Sequence, residues 1–177
     1  CIRGCRFCQA GYVYRPVRSR DPKQLAEYGK AACEDSGYQE MTLSSLSSTD
    51  YPCLLELCDD LLDYCAPRDI GLSLPSLRAD TFSMNLMERL QRVRKGGLTF
   101  APEAGTQRLR DAINKNVTEE EILRSCRTAF SGGWSGVKLY FMLGLPTETD
   151  EDVLGIADLA RKVYFAWREC SDRKSVV

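Results

Sequence analysis

Residues 98–142 read LTFAPEAGTQRLRDAINKNVTEEEILRSCRTAFSGGWSGVKLYFM, and this stretch decides the fold. Leu98 to Ala101 is a short apolar run suited to a buried strand. Thr118 and Glu121 have the spacing of a capping box and open a helix with Ile122, Cys126, Ala129 and Phe130 on its buried side. Gly132-Gly133 stops that helix, and Val137 to Met142 returns to strand. Strand, helix and strand in that order imply parallel pairing through a crossover.

The same alternation continues outward. Upstream, Asp21-Pro22 is an N-cap followed by proline at the first helical position, and Gly37 is the stop, giving a helix over 22–36. Tyr38 to Ser45 is a predicted strand. Leu54, Leu57, Cys58, Leu61, Leu62 and Cys65 then fall on one helix face. Ile70 to Leu74 is a short strand, followed by a helix with Leu86, Leu90 and Val93 as apolar positions and Gly96-Gly97 as its end. Downstream, Val153, Ile156, Ala160, Val163 and Trp167 predict a long helix, and Ser175-Val176-Val177 resembles the opening of another strand. Four strand–helix units preceded by an orphan helix predict an α/β fold, a partial parallel β/α barrel. The orphan helix leads us to expect a further strand just before Cys1, so that the barrel is truncated at both ends. The cysteines near Cys1 would then occupy a loop at the barrel's active face.

Composition narrows the chemistry. The 177 residues are long enough to bury about two thirds of the unfolded chain's surface as one domain. With 24 Lys+Arg against 25 Asp+Glu, no net field draws nucleic acid or membrane, and no apolar run approaches a membrane span. There is no histidine, which removes histidine acid–base catalysis, Ser-His and Cys-His pairs and Cys/His zinc sites. Nine cysteines, an odd number without a pairing pattern, suggest metal in a reducing, cytoplasmic setting rather than disulfides.

Cys1-Ile2-Arg3-Gly4-Cys5-Arg6-Phe7-Cys8 has the spacing C-x3-C-x2-C. Thiolates this close on one loop can reach three corners of a 4Fe–4S cube and leave the fourth iron unclaimed, as in a catalytic rather than a closed site. Gly4 frees the backbone to wrap a cluster closely. Two alternatives stand beside this one. The cysteines can be unrelated, or they can bind zinc, which needs a fourth ligand where the nearest cysteine, Cys33, sits in a helix.

The triplet, with an aromatic before its last cysteine, resembles the signature of the radical SAM superfamily. Four further segments resemble family motifs in the expected order: Glu40 to Leu46, Leu98 to Gln107, Asn114-Lys115 and Met142 to Thr149. The resemblance runs from Cys1 to about Asp152, and residues 1–177 are read as an incomplete core domain of that kind. C-R-F-C-Q-A-G, S-L-S-S, S-L-P-S-L-R and I-N-K-N-V-T are most similar to an uncharacterised set of cobalamin-binding-domain radical SAM proteins, although cobalamin binding is not claimed for these residues.

The resemblance implies an enzyme that binds a 4Fe–4S cluster through Cys1, Cys5 and Cys8 and reductively cleaves S-adenosylmethionine (SAM) to a 5′-deoxyadenosyl radical. The alternative on the same barrel is a non-catalytic Fe–S or zinc module. A methylthiotransferase reading needs a second cluster domain upstream. The resemblance also assigns SAM contacts. Phe7 packs beside cluster and adenine, or is ordinary loop packing. Ser44 and Ser45 lie where the backbone meets the methionyl amino group, but they replace the usual Gly-Gly-Glu. Lys115 faces the SAM carboxylate, or is a solvated lysine. Glu103 bonds ribose or the amino group, although Pro102 and Ala104 alter its consensus. Ser76 and Arg78 face the same cavity, Arg78 otherwise being a surface cation. The backbone of Met142 to Gly144 approaches adenine.

Arg3, Arg6, Arg15, Arg18 and Arg20 make the first twenty residues basic, either as a rim for an anionic cluster or substrate or as solvated charge. Cys58 and Cys65 are expected to be buried, inert thiols rather than ligands of a second cluster. The implied partners are a reductant protein such as flavodoxin or ferredoxin and a substrate the residues do not name; neither membrane nor nucleic acid is indicated.

Overall fold

The computed structural model describes residues 1–75, 77–80, 84–90 and 97–174. In chain order the elements are α1 (Ala10–Val13), α2 (Pro22–Ser36), β1 (Glu40–Thr42), α3 (Leu54–Cys65), β2 (Gly71–Ser73), α4 (Met84–Leu90), β3 (Leu98–Glu103), α5 (Gln107–Ala112), α6 (Glu119–Ser131), β4 (Val137–Phe141) and α7 (Asp150–Lys174). Short 3-10 turns lie at Ser48–Asp50 and Ala66–Arg68.

The local signals set the helix limits. Asp21 accepts from the backbone N–H groups of Lys23 and Gln24, and Gly37 closes α2 in the left-handed region at φ 69°. Thr118 and Glu121 form both halves of the capping box on α6. Every apolar position expected on α3, from Leu54 to Cys65, is buried. Val93, Gly96 and the strand start at Ser175 lie outside the described residues.

The strands form two parallel pairs, β1 with β2 and β3 with β4, each pair bridged by a helical crossover. Among the described residues no ladder joins the pairs, so the observed architecture is α/β with short parallel sheets, and a closed barrel is not established. One core nevertheless spans both: Met41 and Leu72 share a cluster with Phe100 and with Leu61, Ile122 and Leu159 of α3, α6 and α7.

Three expectations needed correction. The strand predicted over 38–45 pairs only at Glu40–Thr42, because Ser45 and Ser48 bond to each other and Ser45 accepts from Ser47 N–H, drawing that stretch out of the ladder. The buried face of α7 includes Gly155, Leu159, Val163 and Ala166; of the predicted stripe Val163 is buried, Ile156 and Trp167 are half-buried, and Val153 and Ala160 are exposed. The cause is backbone contact: a Cβ on Gly105 would lie 2.3 Å from Ile156 N and 2.5 Å from Asp152 O. The helix turns Gly155 toward the β3–α5 turn to allow this approach. Finally, α5 was not anticipated. Thr106 caps it by accepting from Leu109 N–H at 3.3 Å, and Arg110 beneath it is fully buried, donating to the carbonyls of Ala104 and Gly105.

Candidate active site

The cysteine loop lacks regular structure up to α1, and hydrogen bonds hold its shape. Cys8 N–H donates to Cys5 O at 3.1 Å and Gly11 N–H to Cys8 O at 3.2 Å. Cys1, Cys5 and Cys8 are half-buried free thiols. The middle of the loop rests on the C-terminal end of α5: Arg6 N–H donates to Ile113 O at 2.9 Å, the Arg6 side chain donates to Ala112 O, and Asn114 Nδ2 donates to Gly4 O at 2.6 Å. Carbonyls that a helix end leaves without partners thus find them in the loop. A Cβ on Gly4 would sit 3.1 Å from Asn114 Nδ2, closer than most such contacts.

Arg3, between the first two cysteines, is held by carboxylates on two segments. Its guanidinium grips Asp50 in two-pronged fashion, Nε to Oδ2 at 3.0 Å and Nη2 to Oδ1 at 2.5 Å, and lies 3.3 Å from Asp80. Ser47 donates to Asp50 at 2.7 Å. The hydrogen bond from Arg3 is the main cause that lowers the Asp50 pKa below the carboxylate range, and the same bond raises that of Arg3. Asp80 also takes the fork of Arg78, at 2.9 and 3.3 Å, and Arg78 Nη2 reaches Lys115 O at 3.2 Å.

Lys115 Nζ donates to Glu103 Oε1 at 2.9 Å and stands 5.8 Å above the Phe7 ring centre. At 9% exposure Lys115 is not a solvated lysine, and Arg78, paired and half-buried, is not a free surface cation. Glu103 has φ 70°, a conformation a glutamate rarely takes, at a register slip between Phe100 and Glu103 on the β3–β4 ladder. Its carbonyl accepts from Met142 N–H at 2.8 Å, and its carboxylate holds Lys115. Strain of this kind persists only where surrounding contacts impose it, and it clusters at functional sites.

The structure therefore brings together Phe7, Arg78, Glu103, Lys115 and the Met142 backbone, next to the cysteine loop. Ser44 and Ser45 are both exposed, and Ser45 bonds within the turn that leads to Asp50. Gly144 is also exposed, φ 79°, with its N–H held by Glu148 at 2.6 Å. Ser76 lies outside the described residues. Sequence reasoning assigned no role to Asp50, Asp80 or Asn114. Asn114 was within reach, since its motif had been singled out; nothing local marks the two aspartates.

Among the described residues, no three His, Cys, Asp or Glu side chains form a ready-made site for one metal ion. A cubane makes a different demand, because its ligands bond separate irons and need not converge on one point. Three unpaired, accessible thiols on one anchored loop fit that demand as a donor set. Cys58 and Cys126 do not: both are fully buried, and burial pushes their thiols up to about 11 and about 12.

Residues 1–160 match the family model of the radical SAM superfamily. The chain belongs to that superfamily. A relative from Methanocaldococcus jannaschii, itself an uncharacterized protein, is 39% identical over 163 residues, covering 92% of this chain and 35% of that protein. Two tRNA-2-methylthio-N(6)-dimethylallyladenosine synthases are more distant radical SAM relatives. The one from Pelotomaculum thermopropionicum is 27% identical and the one from Desulforamulus reducens 25%, each over 93% of this chain and 38% of the relative. The chain thus spans little more than a third of these relatives. Among the described residues no helix is long and apolar enough to cross a membrane.

Proposed function

We propose that this radical SAM chain holds a 4Fe–4S cluster through Cys1, Cys5 and Cys8 and uses it to cleave S-adenosylmethionine. The carrying observation is that the cysteine loop is fastened beside a pair at the end of β3, a strained, half-buried Glu103 and a buried Lys115. When bound, such a cluster would supply the one-electron reducing chemistry for SAM cleavage. The chain's own residues bind and orient. Lys115 offers a charged donor to a carboxylate, Glu103 accepts from hydroxyl or ammonium groups, and Phe7 sets an apolar ring beside Lys115. Arg78 and Asp80 hold the backbone that carries Lys115. The electron comes from a reductant protein such as flavodoxin or ferredoxin, in the reducing cytoplasm that nine unpaired cysteines suit.

The test is anaerobic reconstitution of the protein with iron and sulfide. It should load about four irons, and Cys5→Ala should abolish the loading. Dithionite and SAM should then release 5′-deoxyadenosine. An intact cluster that releases none rejects the proposal in favour of a non-catalytic metal module.

The two distant relatives support a narrower second reading, methylthiolation of a tRNA. Under it, the iron-loaded protein with SAM, a reductant and a sulfur source converts tRNA adenosines to methylthio derivatives. Absence of that product alongside 5′-deoxyadenosine release leaves the first reading and discards the second.

A further inference from the structure

We propose that Asp80 is a positioning residue, the joint that fastens the cysteine loop to the Glu103–Lys115 pair. The inference rests on the proposed function for its purpose, but its geometry stands apart from it. From Arg3, between Cys1 and Cys5, charged contacts run to Asp80 at 3.3 Å, from Asp80 to Arg78 at 2.9 Å, from Arg78 to the Lys115 carbonyl at 3.2 Å, and from Lys115 to Glu103 at 2.9 Å. Asp50 bonds Arg3 from the other side. Asp80 therefore bonds both arginines, one on the loop that carries the thiols and one on the segment that supports Lys115.

Charge balance makes this joint selective. Two arginines and two aspartates cancel, so the set ties the loop down without itself adding net charge to a segment that already carries Arg6. The side chains of Arg78 and Asp80 are only 10% and 9% exposed, which shields their contacts from the solvent and salt that weaken surface pairs. Gly4, Arg6 and Asn114 anchor the loop to α5, while Asp80 ties it to the binding pair by charge.

The joint is tested first in the iron-free protein, by the rate of tryptic cleavage after Arg6. Asp80→Asn keeps the shape and removes the charge. It should speed cleavage about 5- to 30-fold, the change in local opening that loss of one strong contact produces, while the melting temperature falls little. Asp80→Glu should restore slow cleavage. Arg3→Gln should be at least as fast as Asp80→Asn, because it also gives up the fork on Asp50, and the double variant should be no faster than Arg3→Gln alone. With iron loaded, Asp80→Asn should keep its iron but lose most of the SAM-dependent change in the reduced cluster's EPR signal, and Asp80→Glu should regain it. Slow cleavage in Asp80→Asn, effects that multiply in the double variant, or a full SAM-dependent change would each overturn the proposal. If Asp80→Asn does not fold, Arg3→Gln is compared with Asp50→Asn, which keeps the Asp80 contact: faster cleavage after Arg6 in Arg3→Gln supports the joint, and equal rates remove it. A wild-type protein that loads no iron counts against the proposed function and leaves the cleavage result intact.

Discussion

Cys126 has no exposed surface on the inner side of α6, and Cys58 and Cys65 have none on α3. Desolvation raises all three thiols. Cys1, Cys5 and Cys8 are half-buried on a loop without apolar packing of its own, held by an arginine–aspartate set and by bonds to the end of α5. The core cysteines behave as small hydrophobes, so their chemistry is suppressed by the packing that uses them. The loop cysteines contribute almost nothing to packing and stay available as donors. One residue type therefore does two jobs, separated by burial.

The strongest test of this division is the loss of a single sulfur. Cys5→Ser should reduce bound iron from about four per chain to background while changing stability by less than about 0.5 kcal/mol. Cys126→Ser should do the reverse, keeping the iron and costing about 1–3 kcal/mol, because a hydroxyl is left in a site with no exposed surface. Iron content and urea unfolding read the two effects separately, and a Cys126 variant that loses iron at full stability breaks the division.

Alkylation grades the same contrast. At pH 8 a thiol near 11 is ionised to about one part in a thousand and one near 12 to about one in ten thousand, before access is considered. In native iron-free protein, iodoacetamide should modify the three loop cysteines at least ~100-fold faster than Cys58 or Cys126, and peptide mass mapping resolves the sites. Equal rates would mean that the core opens far more readily than its packing implies.

How much of this was legible in sequence follows from distance along the chain. The limits of α2 and the buried face of α3 depend on residues within a few positions of one another, and Asp21, Gly37 and the Leu54–Cys65 stripe announced them. Glu103 and Lys115 were found because motifs mark them, and their pairing spans only 12 positions. Arg3 and Asp50 are 47 positions apart, and no local pattern ties a loop arginine to that aspartate or to Asp80. The face of α7 was misread for a related reason. Its orientation is set by Gly155 meeting Gly105, a contact between residues with no side chain to register in a hydrophobic pattern.

That close approach is itself testable. Gly105→Ala places a Cβ within 2.5 Å of α7 backbone, which cannot swing aside as a side chain would. Overpacking of this kind should cost about 1–3 kcal/mol in urea unfolding. The thiols of the loop should still load iron if their anchorage is independent of α7. Simultaneous loss of iron would show that the β3–α5 turn, and with it Asn114, governs the loop as strongly as Asp80 does.

The smallest expected effect concerns acid. Hydrogen bonding from Arg3 lowers the folded pKa of Asp50, so the carboxylate stabilises the fold fully above its ordinary value, about 3.9, and this contribution is lost as pH falls through the lower folded value. Asp50→Asn should therefore be less stable than wild type by at most about 1 kcal/mol at pH 6, since the pair is partly open to solvent. The gap should narrow as pH falls below that ordinary value and wild type takes up the proton as well. Asp152 is lowered as well, chiefly by the Thr106 hydroxyl, but it is present in both proteins and cancels from the difference. A gap that stays constant down to pH 2 would mean that Asp50 holds Arg3 by shape and neutral hydrogen bonds. The loop would then differ from the core in exposure alone, with no electrostatic clamp behind it.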